Sequence, residues 1–351
     1  MLGGGLVVSN GTARRSVTLR DVAAAANVHV ATASRALDSE SLHPVSAGTR
    51  ARVQQVAEQL GYRSHLMARG LRRGFSSTVG VVAADLANPF TAPVLRGLEH
   101  SLEEAGYMGL VTESREESDL LDKAVNHLLD RQVDALVLIA VRAGDRERVL
   151  TWATKVPVIL AVRTLPGSGI PAVTHDDRGG ARLAAEHLAE LGHRHVVQLP
   201  GPLDVQTFSD RHESFAASAK ELGLVARTIG PAEVPTLEEA SRLVRRLLAR
   251  GPGRTTALFA HNDFMAMGAV RALRAAGLEC PAGLSVIGYN DIVMAECLDP
   301  PLTTIRLDGY EVGRRAGTLV LDAIGGVLTA DSGSQTPATL VVRSSTAPPR
   351  A

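Results

Sequence analysis

Residues 17–37 read VTLRDVAAAANVHVATASRAL, and this stretch predicts two short helices joined by a tight turn. Thr18 can cap the first helix, and Asp21 three residues later can complete a capping box. Asn27 falls where the chain must turn sharply, and asparagine tolerates a left-handed backbone better than most residues do. The pattern therefore predicts a hairpin of two helices that carries mostly small side chains.

The second helix of this hairpin has two different faces. Ala33, Ala36 and Leu37 have the spacing of a buried face. The side chains predicted to point outward on the opposite face are Val30, Ala31, Ser34 and Arg35. A helix with small side chains and one arginine suits the DNA major groove, where bulk would hold it away from the base edges. Periodicity alone leaves an alternative open, an alanine-rich hairpin in an ordinary helical bundle.

The distribution of charge supports a nucleic-acid partner. The net charge of the 351-residue chain is zero, but residues 1–75 contain ten arginines and four acidic residues, so their net charge is +6. The remaining residues therefore carry a net charge of −6. Basic charge concentrated at one end is typical of a DNA-binding head attached to a more acidic body.

Composition also restricts the compartment. The two cysteines, Cys280 and Cys297, provide no disulfide framework, which favours a reducing cytoplasm. The longest apolar run, near residues 135–141, is far shorter than the roughly 20 residues of a membrane helix. Residues 1–16 have too short an apolar core for a signal peptide, and we interpret them as a flexible leader. We therefore expect a cytoplasmic protein with no membrane partner.

A third helix near residues 47–60, capped by Ser46 and ended by Gly61, completes the head after a polar loop at 38–45. From residue 78, short apolar strands alternate with amphipathic helices, which predicts α/β architecture with parallel sheets covered on both faces. The predicted strands are 79–84, 108–111, 135–141, 158–162, 196–199, 257–259, 284–288, 304–305 and 339–342. The predicted helices are 93–105, 120–131, 179–191, 208–222, 237–250, 263–276 and 310–324.

The motifs VTLRDVA, NV and ATASRAL, followed by VSAGTRARVQQVAEQLGY and ARGLRRG, resemble the lac repressor (LacI/GalR) family of bacterial transcription regulators. The resemblance implies a three-helix, lambda-repressor-like helix-turn-helix domain at 17–63, a hinge helix or linker at 64–77, and a two-lobed core at 78–351. That core resembles periplasmic binding proteins. We expect lobe 1 to contain residues 78–175 and 306–336, and lobe 2 to contain 176–305 and 337–347.

The same resemblance implies a pseudo-palindromic double-stranded DNA operator and a homodimer. The implied DNA-binding residues are Thr18, Val30, Ala31, Thr32, Ser34, Arg35, His65, Ala68 and Leu71. In the family, the hinge folds in the minor groove and a leucine wedges open the central base step, a role that falls to Leu71 here. The alternative is a solvated basic linker. The C-terminal segment has no leucine heptads, so we expect no tetramer-forming coiled coil.

Ligands of open α/β sheets bind at the carboxyl ends of the strands, and the resemblance places a small-molecule effector there. The implied effector-binding residues are Asp85, Asn88, Phe90, Arg163, Arg211, Asn262 and Asn290. Polar residues at strand ends can instead cap helices, and we favour that role for Asp263 and Asp291. Val162 and Leu307 replace polar family contacts, while Arg163 and Arg211 would favour an anionic ligand if both line the cleft. The sequence does not choose among these ligands.

The sequence thus predicts a DNA-binding regulator, most simply a repressor, controlled by a sugar or related metabolite. The alternative is a solute-binding protein without a regulatory role. An enzyme is disfavoured because the phosphate-loop-like GPGRTT lacks the lysine and precedes a strand, and because no nucleophile motif is found. His193 and His195 lack a second cluster that would complete a metal site. We expect no cofactor, no metal and no catalytic residues.

Overall fold

The computed structural model describes residues 17–37, 45–62, 75–251, 253–328 and 332–350. The chain forms two compact units, Met1–Ser76 and Ser77–Ala351. The predicted leader at 1–16, most of the predicted loop at 38–45 and residues 64–74 of the predicted hinge lie outside the described residues.

The first unit contains the three predicted helices, α1 (Leu19–Ala25), α2 (Val30–Leu37) and α3 (Ala47–Gln59). The Asp21 carboxylate accepts a hydrogen bond of 2.8 Å from the backbone N–H of Thr18, and the Thr18 hydroxyl accepts one from Asp21, so the capping box is confirmed. Asn27 has φ of 50°, which confirms the left-handed turn. The buried side chains of this small core are Val22, Ala23, Ala26, Ala33, Ala36, Val53 and Ala57.

The second unit contains two six-stranded sheets. The first has the order β11-β5-β4-β3-β1-β2, and its paired strands are parallel. Its strands are β1 (Thr78–Ala83), β2 (Met108–Glu113), β3 (Ala135–Leu138), β4 (Val158–Val162), β5 (Ala172–His175) and β11 (Ser334–Thr336). The helices packed with it are α4 (Thr91–Glu104), α5 (Ser118–Asp130), α6 (Arg146–Ala153) and α11 (Gly309–Ile324). We call this sheet and its helices lobe 1.

The second sheet, with its helices, forms lobe 2. Its order is β12-β10-β9-β8-β6-β7, and only the β10–β12 pair among the described strands of this sheet is antiparallel. The strands are β6 (His195–Leu199), β7 (Val225–Thr228), β8 (Ala257–Ala260), β9 (Ser285–Asn290), β10 (Thr303–Leu307) and β12 (Ala338–Val341). The helices are α7 (Asp177–Glu190), α8 (Gln206–Glu221), α9 (Leu237–Ala249) and α10 (Asp263–Ala275).

Both sheets are buried on their two faces, because alternate residues of each central strand enter different cores. In β1, Val81 packs with α4 and α11, whereas Val82 packs with α5 and α6. In β8, Leu258 packs with α9 and α10, whereas Phe259 packs with α7 and α8. This explains why the central strands read as continuous apolar runs instead of alternating patterns.

The chain passes between the lobes three times, after β5, after β10 and between β11 and β12. The predicted lobe boundary between residues 305 and 306 is wrong, because β10 continues in the lobe 2 sheet to Leu307. Arg306 is paired with Asn290 of β9, and Leu307 is paired with Ala338 of β12. Four elements were not predicted from the sequence, namely α6, β5, β7 and β11.

Candidate functional sites in the helix-turn-helix unit and the interlobe cleft

Helix α2 exposes a surface of small side chains. Ala31 is exposed, and Thr32, Ser34 and Arg35 are half-buried. Val30 differs from the prediction, because it is half-buried and packs against the core of this unit. The outward face of α2 is therefore flatter than expected, which suits close approach to a groove.

Two polar side chains near α2 are held by local hydrogen bonds. The Arg35 Nε donates to the carbonyl oxygen of Ala31 at 3.1 Å, which lays the guanidinium along the helix. His29, which the sequence analysis missed, takes the position before the helix: its Nδ1 accepts from the N–H of Ala31 at 3.2 Å. The carbonyl of His29 accepts from Thr32 and Ala33. No sequence signal marked it, because histidine is not among the residues preferred at helix N-termini.

The remaining predicted DNA contacts have less structural description. Thr18 is exposed, and its hydroxyl donates to the Asp21 carboxylate at 2.7 Å. His65, Ala68 and Leu71 lie outside the described residues.

In lobe 1, the turn after β1 positions an aromatic ring at the centre of the cleft between the lobes. The Asp85 carboxylate accepts from the N–H of Ala87 at 2.8 Å, and the Asn88 amide oxygen accepts from the N–H of Phe90 at 3.1 Å. Both predicted effector contacts thus shape the turn. Phe90 packs against cores of both lobes, and its ring lies 5.5 Å from that of His175.

Arg211 of α8 is buried in lobe 2 at 4% exposure. Its Nε donates to Asp177 Oδ1 at 2.7 Å, and Nη1 donates to the carbonyl oxygen of His261 at 2.6 Å. The guanidinium carbon lies 3.8 Å from the centroid of the Tyr289 ring, a cation–π geometry. Burial raises the pKa of Asp177, and the Arg211 cation opposes that shift. Asp177, at the start of α7, was not predicted as a site residue.

His175, at the end of β5, is 2% exposed and lies close to Arg211 and Phe90. Burial, reinforced by the positive charge of Arg211, lowers the pKa of His175 to about 3. Its Nδ1 lies 2.8 Å from the Thr336 hydroxyl, and its buried Nε2 has no hydrogen-bond partner among the described residues. His175 is therefore a neutral side chain with one unsatisfied polar atom.

The strand ends of β8 differ from the prediction. Asn262 is the cap of α10: its amide oxygen accepts from the N–H of Met265 at 2.7 Å, while Nδ2 donates to the carbonyl of Pro235. The expectation that Asp263 caps this helix is wrong. Its buried carboxylate accepts instead from the Thr304 hydroxyl at 2.6 Å and from the N–H of Ile292 at 2.8 Å.

Asn290, the last residue of β9, lines a cavity of about 360 Å³ at the interlobe crossover. Phe90 and Leu307 also line it, so three positions implied by the family resemblance meet there. Asp291 caps no helix in the structure; its carboxylate pairs with Arg306 and Arg343 at 2.7 Å each, and the expectation of a cap is wrong.

Arg163, after β4, belongs to a chain of four alternating charges. Its Nη1 donates to Glu116 Oε2 at 2.9 Å, and Nη2 donates to Oε1. Although burial alone would raise the pKa of Glu116, the Arg163 guanidinium holds it below its usual value. Arg142 donates to the carbonyl of Glu116 and makes two bonds of 2.8 Å to Asp204 of lobe 2. Both Nη groups of Arg163 are therefore engaged within lobe 1.

Comparison with known proteins joins the two units to one family. A model of the bacterial regulatory proteins of the lacI family matches residues 18–65, and a model of a periplasmic binding protein-like domain matches residues 185–346. The HTH-type transcriptional repressor CytR of Escherichia coli (strain K12) is 30% identical over 335 residues, which cover 94% of this chain and 96% of CytR. The chain belongs to the LacI family.

Solved structures similar to this LacI-family chain cover almost its whole length. A crystal structure of the lac repressor dimer bound to operator and the anti-inducer ONPF has a TM-score of 0.84 at 28% identity, over 95% of this chain and 100% of that one. A complex of the transcriptional regulator CelR with cellobiose has a TM-score of 0.69 at 28% identity, over 94% and 99%. The predicted fold class is therefore confirmed.

Membership of the LacI family decides between the alternatives left open by the sequence. The chain is a transcription regulator and not a solute-binding protein without a regulatory role. The relatives named above are regulators, not enzymes. Among the described residues, no helix is both long and apolar enough to cross a membrane.

Proposed function

We propose that this LacI-family regulator is a cytoplasmic repressor that binds a pseudo-palindromic DNA operator as a homodimer and changes its operator affinity when a small molecule binds between its lobes. The observation that carries the proposal is one chain that joins an exposed helix of small residues to a two-lobed α/β unit with a polar cleft. The lac repressor dimer bound to operator, similar over 95% of this chain, supports both the dimer and the DNA partner.

On DNA, α2 enters the major groove. Arg35 can release its bond to Ala31 and donate two hydrogen bonds to a guanine, while Ala31 allows close approach. Thr18, at the N-terminus of α1, is placed to contact a backbone phosphate. Further base or backbone contacts come from Val30, Thr32 and Ser34. We also propose that His65, Ala68 and Leu71 contact the minor groove, with Leu71 as the wedge.

In the cleft, the proposed effector contacts are Phe90, Arg211 and Asn290. Phe90 offers an apolar ring between the lobes, Asn290 an amide at the cavity, and Arg211 a rigidly held guanidinium. The neighbouring His175 adds an unsatisfied ring nitrogen. Cellobiose bound to CelR supports a sugar-like ligand.

The other implied effector contacts have supporting roles in this proposal. Asp85 and Asn88 shape the turn that presents Phe90, and Asn262 caps α10. Arg163 acts through Glu116 in the charge chain that reaches lobe 2. An effector that contacts both lobes favours one relative arrangement of them, which provides the two-state element required for allosteric control.

Fluorescence anisotropy of the full-length protein against labelled genomic fragments tests the proposal, with random duplexes of equal length as the control. A repressor of this kind binds a subset of fragments about 10³-fold or more tightly than random DNA at physiological salt. Equal affinity for every fragment would contradict sequence-specific recognition.

A further inference from the structure

The charged groups around the interlobe cleft are internally neutralised. Arg211 is paired with Asp177 with both side chains almost fully buried, and Arg163 is paired with Glu116 through both of its Nη groups. Arg142 is paired with Asp204 across the cleft. Each of these cations thus already has a carboxylate partner, which removes the reason to expect an anionic ligand.

The two histidines beside Arg211 add no positive charge. Burial lowers the pKa of His175 to about 3, with a further contribution from Arg211. His261 is fully buried, and burial together with the Arg211 cation lowers its pKa well below its usual value. Near neutral pH both rings are uncharged, so they can exchange hydrogen bonds with a ligand but cannot neutralise an anion.

A phosphorylated ligand in this cleft would have to displace a buried carboxylate from its arginine or remain without a counter-ion. Both alternatives leave a buried charge uncompensated, which is strongly unfavourable. An uncharged ligand meets no such barrier. It can use the unsatisfied Nε2 of His175, the Asn290 amide and the ring of Phe90 while every ion pair remains intact.

We propose that the effector is an uncharged polyhydroxyl compound with an apolar face, such as a free sugar or a nucleoside, and not its phosphate ester. This inference rests on the proposed function for the location of the site, and it narrows the ligand class from the charges of the cleft. A hydroxyl group fits the site because it can both donate to and accept from a neutral imidazole, whichever tautomer His175 adopts.

Isothermal titration of the full-length protein with inorganic phosphate and with ribose 5-phosphate, at ionic strength matched with sodium chloride, tests the charge argument. The wild-type protein is expected to show no saturable binding of either probe. Glu116→Gln removes the charge opposite Arg163 while keeping the side-chain shape, and saturable phosphate binding is expected to appear. Glu186→Gln, which removes a carboxylate from the exposed Arg182 pair, is the control and should behave as wild type.

Two results would overturn the inference: saturable phosphate or ribose 5-phosphate binding by the wild-type protein, or its continued absence in a folded Glu116→Gln variant. If circular dichroism shows that Glu116→Gln is unfolded, Asp204→Asn provides the same test, because it frees Arg142 and its own side chain is 55% exposed. Operator affinity measured on the same samples separates the outcomes, since a failure of DNA recognition would reject the proposed function without changing the phosphate result.

Discussion

Arg142 and Asp204 join the two lobes by two parallel hydrogen bonds of 2.8 Å. Arg142 lies beyond β3 in lobe 1, and Asp204 lies between β6 and α8 in lobe 2. The Asp204 carbonyl also accepts from the N–H of Ala143 at 2.9 Å. Hydrogen bonding to Arg142 holds the pKa of Asp204 below its usual value, so this bridge is charged at neutral pH. A lobe movement that opens this side of the cleft must break it.

The first prediction concerns this bridge. Asp204→Asn should shift the lobes of the effector-free protein towards a more open arrangement, because it removes the charge and one acceptor from the bidentate pair. A half-exposed pair of this kind contributes about 0.5–1 kcal/mol, which corresponds to a roughly two- to fivefold change in the open-to-closed ratio. Interspin distances between labels on lobe 1 and lobe 2 measure the shift.

The control for this experiment is the exchange of the two charges. Arg142→Asp combined with Asp204→Arg should restore part of the wild-type distance distribution, since the attraction is retained with reversed polarity. A distribution identical in wild type and Asp204→Asn would show that the bridge does not bias the lobes.

The second prediction concerns Arg211. Arg211→Ala leaves the 1% exposed Asp177 without its cation, and breaking a buried pair in this way costs about 3–5 kcal/mol of unfolding free energy. Arg182→Ala removes an exposed arginine that is also paired, and should cost at most about 1 kcal/mol. Urea denaturation of both variants measures the difference, and equal losses would reject the assignment of a buried structural pair.

The third prediction concerns pH. Burial raises the pKa of Asp263 to about 7, and the Asp291 carboxylate adds to the shift. The folded protein therefore holds this proton between about pH 4 and pH 7 while the unfolded chain has lost it, so this group's contribution to stability decreases as pH rises through that range. The slope is at most about 1.4 kcal/mol per pH unit.

Comparison with Asp263→Asn isolates this contribution, because the amide does not titrate. His175 acts in the opposite direction: its folded pKa of about 3 means that its contribution is lost as pH falls below its unfolded value near 6.5. Urea denaturation at several pH values should show wild type losing stability relative to Asp263→Asn between pH 5 and pH 7. Parallel profiles would show that Asp263 has no raised pKa.

Much of the fold follows from local patterns. The β4 strand and the central strands beside it were predicted because both of their faces are buried and their sequences are continuous apolar runs. The unpredicted β7 strand, VART, lies at the edge of its sheet and is mostly exposed, so it carries no apolar run. The unpredicted β11 strand, SQT, is polar and pairs only with β5 among the described strands. Such strands exist because a neighbour provides hydrogen bonds, which local sequence does not record.

The site shows the same division. Strand-end residues such as Phe90 and Asn290 could be selected from position and family resemblance. The ion-pair partners could not, because they are distant in sequence: Asp177 is 34 residues from Arg211, and Asp204 is 62 residues from Arg142. The charge state of the cleft depends on those partners, so the structure was needed to remove the expectation of an anionic effector.

The central claim is that α2 reads the base sequence, and the ratio of operator to random-DNA affinity in Arg35→Ala tests it most directly. Arg35 should contribute about 1–3 kcal/mol of discrimination through guanine, so the ratio should fall roughly 5- to 150-fold. Arg52→Ala, which removes an exposed arginine of α3, should weaken operator and random DNA about equally and leave the ratio unchanged. A wild-type ratio in Arg35→Ala would contradict the account.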